Sequence, residues 1–303
     1  MHAWDLTLLT ESRHVAPAET DWYVDNILAE DALLKAALER HGLRVTRVGW
    51  DDPDFDWSST RTALFRATWD YFHRFDEFSA WLERVGAQTT LINPARQARW
   101  NLDKHYLADL GARGVRVTDT RFIEAGSDTT LVAEVAASGW DELILKPAVS
   151  GAARHTYRFS ASECASLEAV FADLVAHEAL LLQPFQHNIL EQGEYSFMVF
   201  GGRYTHAVLK VAKPGDFRVQ DDFGGSVHVH EATPAQIEFA EAAVAACDPL
   251  PAYARVDAFV DNDGQLAVGE LELVEPELWF RLHPPAADAL AVHVAERWFG
   301  AAK

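Results

Sequence analysis

Residues 253–276, YARVDAFVDNDGQLAVGELELVEP, hold side chains that could do chemistry at a spacing that would bring them together. Alternating β-rich runs flank Asp261-Asn262-Asp263-Gly264, a cluster of the kind that closes a hairpin. Strand alternation puts Arg255 and Asp257 on one face of the first run, and Glu270 and Glu272 on one face of the second. Pairing about the turn predicts Arg255 opposite Glu270, with Asp257 one diagonal step away. Three carboxylates and an arginine would then converge between the apolar Val256, Ala258, Ala267, Leu271 and Leu273. Hard oxygen ligands of this kind suit Mg²⁺, which takes one or two carboxylates and leaves its other positions to water and phosphate. Taken alone, the stretch also fits a solvated acidic hairpin. It does not fit an EF-hand, because the first ligand position would fall on Phe259 and the flanks are not helical.

Cations are sparse in a chain of net charge −20, so their placement is informative. Residues 98–111, ARWNLDKHYLADLG, read as one helix stopped by Gly111 and carrying Lys104. A strand at 115–118 and a helix at 129–138 follow. The β-run 142–146 delivers Lys146 to its end, directly before Pro147 and the small-residue loop Ser150-Gly151-Ala152-Ala153. A lysine at the end of a buried strand needs a counter-charge, and a phosphate beside exposed backbone N–H groups would supply one. A plain strand-to-hairpin turn explains the stretch nearly as well. In LLLQPF, residues 180–185, the Gln183-Pro184 break predicts a short buried linker rather than a long strand. Residues 194–200 and 203–210 flank Gly201-Gly202 and predict a hairpin with His206 and Lys210 on one face. The loop KPGDFRVQ, residues 213–220, adds Lys213 and Arg218 to Lys210. Helices are expected at 234–247 and 286–298.

The first third of the chain alternates differently. Strands at 4–10, 45–50, 63–68 and 90–92, with helices at 24–40 and 76–85, predict a small open α/β domain ending at Asn93-Pro94. Arg66-Ala67-Thr68-Trp69-Asp70-Tyr71 lies where the third strand runs into a loop, the end of such a sheet at which ligands bind. A surface loop over a packed aromatic is the equal alternative. The acidic balance argues against nucleic acid or an anionic membrane as partner. Cys164 and Cys247 make no CxxC or zinc spacing, and no run of 18 apolar residues or signal-peptide pattern occurs, so a reduced, cytoplasmic protein is expected. His228 and His230 share a strand face without a third ligand near in sequence, and no G-x-S-x-G elbow is present.

Spread cations around one acidic face match what phosphoryl transfer needs, since there the protein positions phosphate oxygens and neutralises charge. The order Asp103-Lys104, Leu145-Lys146-Pro147 with its small-residue loop, Gln183-Pro184-Phe185, the segment from Gly215 to Gln220, Arg255-Val256-Asp257 and Glu270-Leu271-Glu272 resembles the ATP-grasp superfamily. It is most similar to the glutathione-synthetase-like ligases, over roughly residues 90–283. The resemblance implies an α/β plus α+β protein of three regions: an N-terminal open α/β domain (1–94), a central lid (95–182) and a C-terminal catalytic region (183–303). It implies ATP with Mg²⁺, or Mn²⁺ in its place, and a small-molecule carboxylate activated as an acyl phosphate and joined to an amine-type nucleophile. By similarity Lys104, Lys146, Ser150, Gly151 and Arg154 would hold phosphates, Gln183 and Phe185 the adenine, and Glu191 or Glu194 the ribose. Asp257, Glu270 and Glu272 would carry the metal, with Arg218, Arg255 and Lys210 at the transferred phosphoryl group. Arg66, Trp69, Asp70, Tyr71 and Arg281 lie outside the nucleotide motifs and are candidate substrate contacts. Two departures stand out: Ala152-Ala153-Arg154 where many relatives are richer in glycine, and Glu272 where many have asparagine. A ring-closing ligase of the cycloserine-forming kind, a ligase acting on a protein tail and a non-catalytic nucleotide sensor are the alternatives, and a homodimer is an option.

Overall fold

The computed structural model describes residues 2–219 and 224–300. Gln220, the last residue of the basic loop motif, lies outside them. The chain forms β1 (Trp4–Thr10), α1 (Trp22–Arg40), β2 (Val45–Gly49), β3 (Thr60–Phe65), α2 (Phe75–Gly86) and β4 (Thr90–Ile92). These strands pair in parallel in the order β2-β1-β3-β4, the open sheet that alternation of strand and helix patterns predicts. Asp21 caps α1, its carboxylate accepting from the N–H groups of Tyr23 and Val24.

Next come α3 (Ala95–Leu102), α4 (Tyr106–Ala112), β5 (Arg121–Ile123), α5 (Leu131–Ser138), β6 (Glu142–Pro147), β7 (Tyr157–Ser160), α6 (Glu168–Val175) and β8 (Leu180–Pro184). Two expectations are corrected here. The single helix over 98–111 is two helices: Asp103 is extended, and its carboxylate accepts from the N–H of His105, a side-chain turn that competes with the helical ladder. The 180–185 segment is short and buried as expected, but it is a five-residue strand rather than a linker, lying between β5 and β6 in the order β5-β8-β6-β7. Pro184 ends it without lost pairing, because Leu143 opposes Pro184 and the ladder continues through Gln183. The strand expected at 115–118 is reduced to one bridge between Val117 and Val268.

The remainder is α7 (Asn188–Gln192), β9 (Glu194–Phe200), β10 (Arg203–Val211), β11 (Ser226–His230), α8 (Pro234–Ala245), β12 (Tyr253–Val260), β13 (Leu266–Glu272) and α9 (Pro285–Val294). Its antiparallel sheet runs β11-β10-β9-β12-β13. One apolar core joins Leu6, Leu8 and Leu64 of the first sheet to Met198, Phe200, Tyr253 and Phe280, so the first and last layers are packed on each other. A separate core of Ile123, Leu143, Leu145, Phe159, Phe171 and Leu182 belongs to the middle sheet. Asn93 sits at the joint. Its amide donates to the carbonyls of Tyr253 and Leu273 at 3.0 and 2.8 Å, and its oxygen accepts from the N–H of Ala252 at 2.7 Å.

Candidate active site

The floor of the site is the β12–β13 hairpin, but its register differs from simple counting. Arg255 opposes Glu272 and Asp257 opposes Glu270, and the ladder is interrupted between Asp257 and Ala258. The extra residue lies at Gly269, where a Cβ would come within 2.6 Å of the Phe259 ring. A glycine inside a strand is the sequence signal for such a bulge. The bulge changes the cross-strand partners without separating the acids. Arg255 donates to Asp257 at 2.8 Å and also to Glu272, so one guanidinium serves two carboxylates. Asp257 further accepts from Ser196 at 2.5 Å and lies 3.3 Å from Lys210, which pairs with Glu194 as well. Although burial disfavours its charge, Arg255 and Lys210 hold the Asp257 carboxyl down to about 2. Glu272 goes the other way: burial, with Asp257 and Glu270 nearby, pushes it up to about 8 despite Arg255.

Around this floor opens a cleft of about 570 Å³ between the three sheets, in the size range of ligand pockets. Lys104 sits in the break between α3 and α4, its Nζ donating to the Ser150 carbonyl at 2.6 Å and lying 3.1 Å from Glu270. Lys146, at the end of β6, forms no hydrogen bond or ion pair among the described residues. Burial, then the neighbouring Lys104, lowers its pKa, with Glu270 opposing. A desolvated cation facing a cleft without a partner is a seat for an anion. The Ser150 loop beside it holds Ala152 and Ala153 at φ of 48° and 54°, a left-handed stretch unusual outside glycine. Gly151 is required there for another reason, since a Cβ would meet the Phe72 ring of the first domain at 2.6 Å.

At the other end, Ile144, Pro184, Phe185, Phe217 and Phe259 make an apolar wall. Gln183 is buried on it and donates to Thr120 at 2.8 Å. Arg158 stacks over Phe185 at 3.7 Å, and Arg218 is held by Asp216.

Of the residues singled out from sequence, Lys104, Lys146, Ser150, Gly151, Gln183, Phe185, Glu194, Lys210, Arg218, Arg255, Asp257, Glu270 and Glu272 line this one cleft, as do Trp69 and Asp70. Others do not reach its wall. Arg154 is turned onto Glu178 in a two-bond pair, and Glu191 lies on α7, whereas Glu194 faces in. Arg66 is buried between Glu30 and Asp31 beside a smaller cavity, Tyr71 is packed in the first domain's core, and Arg281 is held by Glu277 and Trp279. The sequence reading missed Glu11, Glu275, Glu277 and Trp279, which also line the cleft. Glu275 and Glu277 follow Glu272 in the run ELELVEPE, and that continuing acidic spacing beyond the strand end is the signal that marks them.

Among the described residues no three His, Cys, Asp or Glu side chains close into a metal cage. Mg²⁺ does not require one, since it keeps water and phosphate ligands. The donor set fits a hydrated divalent cation with a phosphate: Glu272 is left without enough positive charge to keep it ionised, and Lys146 is left without an anion. The histidine pair serves otherwise, His228 contacting Ser226 and His230 contacting Gln236.

Residues 6–93 match the family model described as D-cycloserine synthetase DcsG, N-terminal domain. Over 274 residues the chain is 32% identical to the cycloserine biosynthesis protein DcsG of Streptomyces lavendulae, spanning 84% of this chain and 89% of that protein. The crystal structure of D-cycloserine synthetase DcsG matches with a TM-score of 0.85 at 31% identity, covering 97% of this chain and 99% of that one. The ATP-grasp ligase PsnB, complexed with a minimal precursor, Mg and ADP, shares the fold at a TM-score of 0.62 and 16% identity, over 97% and 99% of the two chains. Three sheets around a cleft of this composition define an ATP-grasp ligase, an ATP-dependent enzyme that forms carbon–nitrogen bonds. Within that class the chain belongs to the family of DcsG.

Proposed function

We propose that the enzyme activates the carboxylate of a small amino-acid-like molecule as an acyl phosphate, and that a nitrogen of the same molecule displaces the phosphate to close a ring. The observation that carries the phosphoryl-transfer half is Lys146, a desolvated cation without a partner among the described residues, beside an acidic floor. The ring-closing half rests on the kinship with D-cycloserine synthetase, whose product contains its new C–N bond within a ring.

Mg·ATP, when bound, supplies the phosphoryl group and the charge that lets Asp257, Glu270 and Glu272 share one face. Lys104 and Lys146 hold phosphate oxygens, with backbone N–H groups of the Ser150–Gly151 loop beside them. Gln183 and the backbone at Phe185 read the base against the apolar wall, and Glu194 accepts from the ribose. Arg255, Lys210 and Arg218 lie along the face where charge develops as the phosphoryl group passes to the carboxylate. Trp69 and Asp70 stand at the substrate end, backed by Arg66, Tyr71 and Arg281, which fix the loops that carry them. Residues 1–94 thus present the substrate, 95–182 cover the nucleotide and 183–303 carry the metal. The substrate partner is a small molecule, and the enzyme works in the cytoplasm, where ATP is at hand.

The test is ADP release from Mg·ATP with hydroxylamine present to trap an acyl phosphate. The panel includes D-alanine, D-serine and the ring-opened acid of D-cycloserine, which holds carboxylate and aminooxy nitrogen in one molecule. ADP and a hydroxamate with an amino acid of this panel are expected. Tight ATP binding with neither ADP nor hydroxamate would favour the nucleotide-sensor reading instead.

A further inference from the structure

Every other carboxylate lining the cleft lies within 4.0 Å of a lysine or arginine side chain; Glu275 is the one that does not, among the described residues. Its place is nonetheless fixed with care. The backbone around it is held by side chains of the loop after β3 and of β12: Trp69 Nε1 donates to the Glu275 carbonyl at 2.8 Å, Arg66 to the Pro276 carbonyl at 3.1 Å, and the Tyr253 hydroxyl to the Val274 carbonyl at 3.1 Å. The Glu275 carboxylate itself accepts the Tyr71 hydroxyl. It therefore projects into the cleft at the junction of the metal-type floor and the substrate-side domain, preorganised but with no cation at ion-pair distance among the described residues.

We propose that Glu275 is the general base that accepts the proton of the attacking nitrogen in the second half-reaction. The assignment rests on the ligase reading above. In that step the nitrogen lone pair attacks the acyl carbon and a C–N bond forms. The C–O bond to phosphate breaks, its electron pair leaves with inorganic phosphate, and the N–H proton passes to a Glu275 oxygen. A carboxylate already salt-bridged to lysine or arginine would be a poorer acceptor, since its cation favours the ionised form. Among the described acids of the cleft, Glu275 alone has no such pair; Glu272, though raised further, is tied to Arg255 on the metal-type face. Burial and the charge of Glu270 push its carboxyl up to about 7, against the Tyr71 hydrogen bond and the charges of Lys104 and Arg255. That places it where a general base works best near neutral pH.

The variant to make is Glu275→Gln, assayed on the ring-opened acid of D-cycloserine with and without hydroxylamine. Hydroxamate formation should stay within about threefold of wild type while ring product falls by about 10²-fold or more, the range for a lost general base. The rise of wild-type ring closure with pH through about 7 should vanish in Glu275→Gln, and Tyr71→Phe should move it to higher pH by removing the hydrogen bond that opposes the upward shift. Glu275→Asp should recover part of the ring product. Equal loss of hydroxamate and ring product in Glu275→Gln, or ring closure at the wild-type rate, would overturn the assignment. Wild-type hydroxamate in the same run reports on the ligase chemistry separately, so failure of that reading is distinguishable.

Discussion

Lys146 and Glu275 are opposite cases of the same physics: each is a half-buried, desolvated group without an ion-pair partner among the described residues. Leaving a charge unpaired in a desolvated site is destabilising unless a ligand or proton completes it. Lys146→Met should therefore keep the fold, as read by far-UV circular dichroism, and lower ATP-dependent turnover by about 10²- to 10³-fold, the range for a lost charge-stabilising donor. Turnover within a few fold of wild type would remove Lys146 from the phosphate seat. At this scale much of the site was legible in the sequence. Asp257, Glu270 and Glu272 were placed on one face by alternation, which survives the bulge at Gly269 because the acids lie on the same side of it. The facing partners were not legible, because the turn side pairs Val260 with Leu266 rather than Gln265 and the extra residue at Gly269 adds a second step, which together move Arg255 from Glu270 to Glu272. Glu275 was missed because it lies past the strand end, where alternation says nothing about direction.

Edges decide the element scale. β13 is the last strand of the C-terminal sheet, and an open edge there would leave its N–H and C=O groups unpaired beside the metal-type face. Side chains close it instead. Asn101 on α3 donates to the Leu271 carbonyl and accepts from the Leu273 N–H, both at 2.7 Å, while the Tyr106 hydroxyl of α4 accepts from the Leu271 N–H at 2.9 Å. The break at Asp103 that sequence periodicity smoothed over is what allows two short helices to deliver both groups and to seat Lys104 between them. Asn93 does the equivalent work between the first and last layers. Asn93→Ala strands three buried backbone groups at once, so a loss of about 2–4 kcal/mol in unfolding free energy is expected by denaturant titration. A loss under about 0.5 kcal/mol, the size of an ordinary surface change, would mean that water replaces those bonds without penalty. The β8 strand was misread because Pro was treated as a breaker, though at the strand's last position it forfeits little.

Over the whole molecule, a chain of net charge −20 gathers Lys104, Lys146, Lys210 and Arg255 and several of its raised carboxyls into one cleft. Glu272, near 8, and Glu275 and Glu30, near 7, hold protons in the folded state that the unfolded chain gives up around 4.5. Their contribution to stability is complete below about pH 4.5 and is lost as pH rises toward 8. The metal-free protein should accordingly melt lower at pH 8 than at pH 6 by scanning calorimetry. Glu272→Gln should reduce that difference, and Mg²⁺ with ATP should raise the midpoint more at pH 8. A midpoint that rose from pH 6 to 8 without ligand would contradict the burial of these acids. The N-terminal open sheet was legible from strand and helix alternation, but the packing of the first layer onto the last was not, since no local pattern encodes which apolar faces meet.

In the proposed reaction, phosphate passes from ATP to a substrate carboxylate before nitrogen attacks. The most direct measurement places ¹⁸O in both oxygens of the carboxylate of the ring-opened acid of D-cycloserine and follows the label by mass spectrometry. ADP is expected as the only nucleotide product, with one ¹⁸O in each inorganic phosphate released. Unlabelled phosphate, or AMP carrying the label, would contradict it.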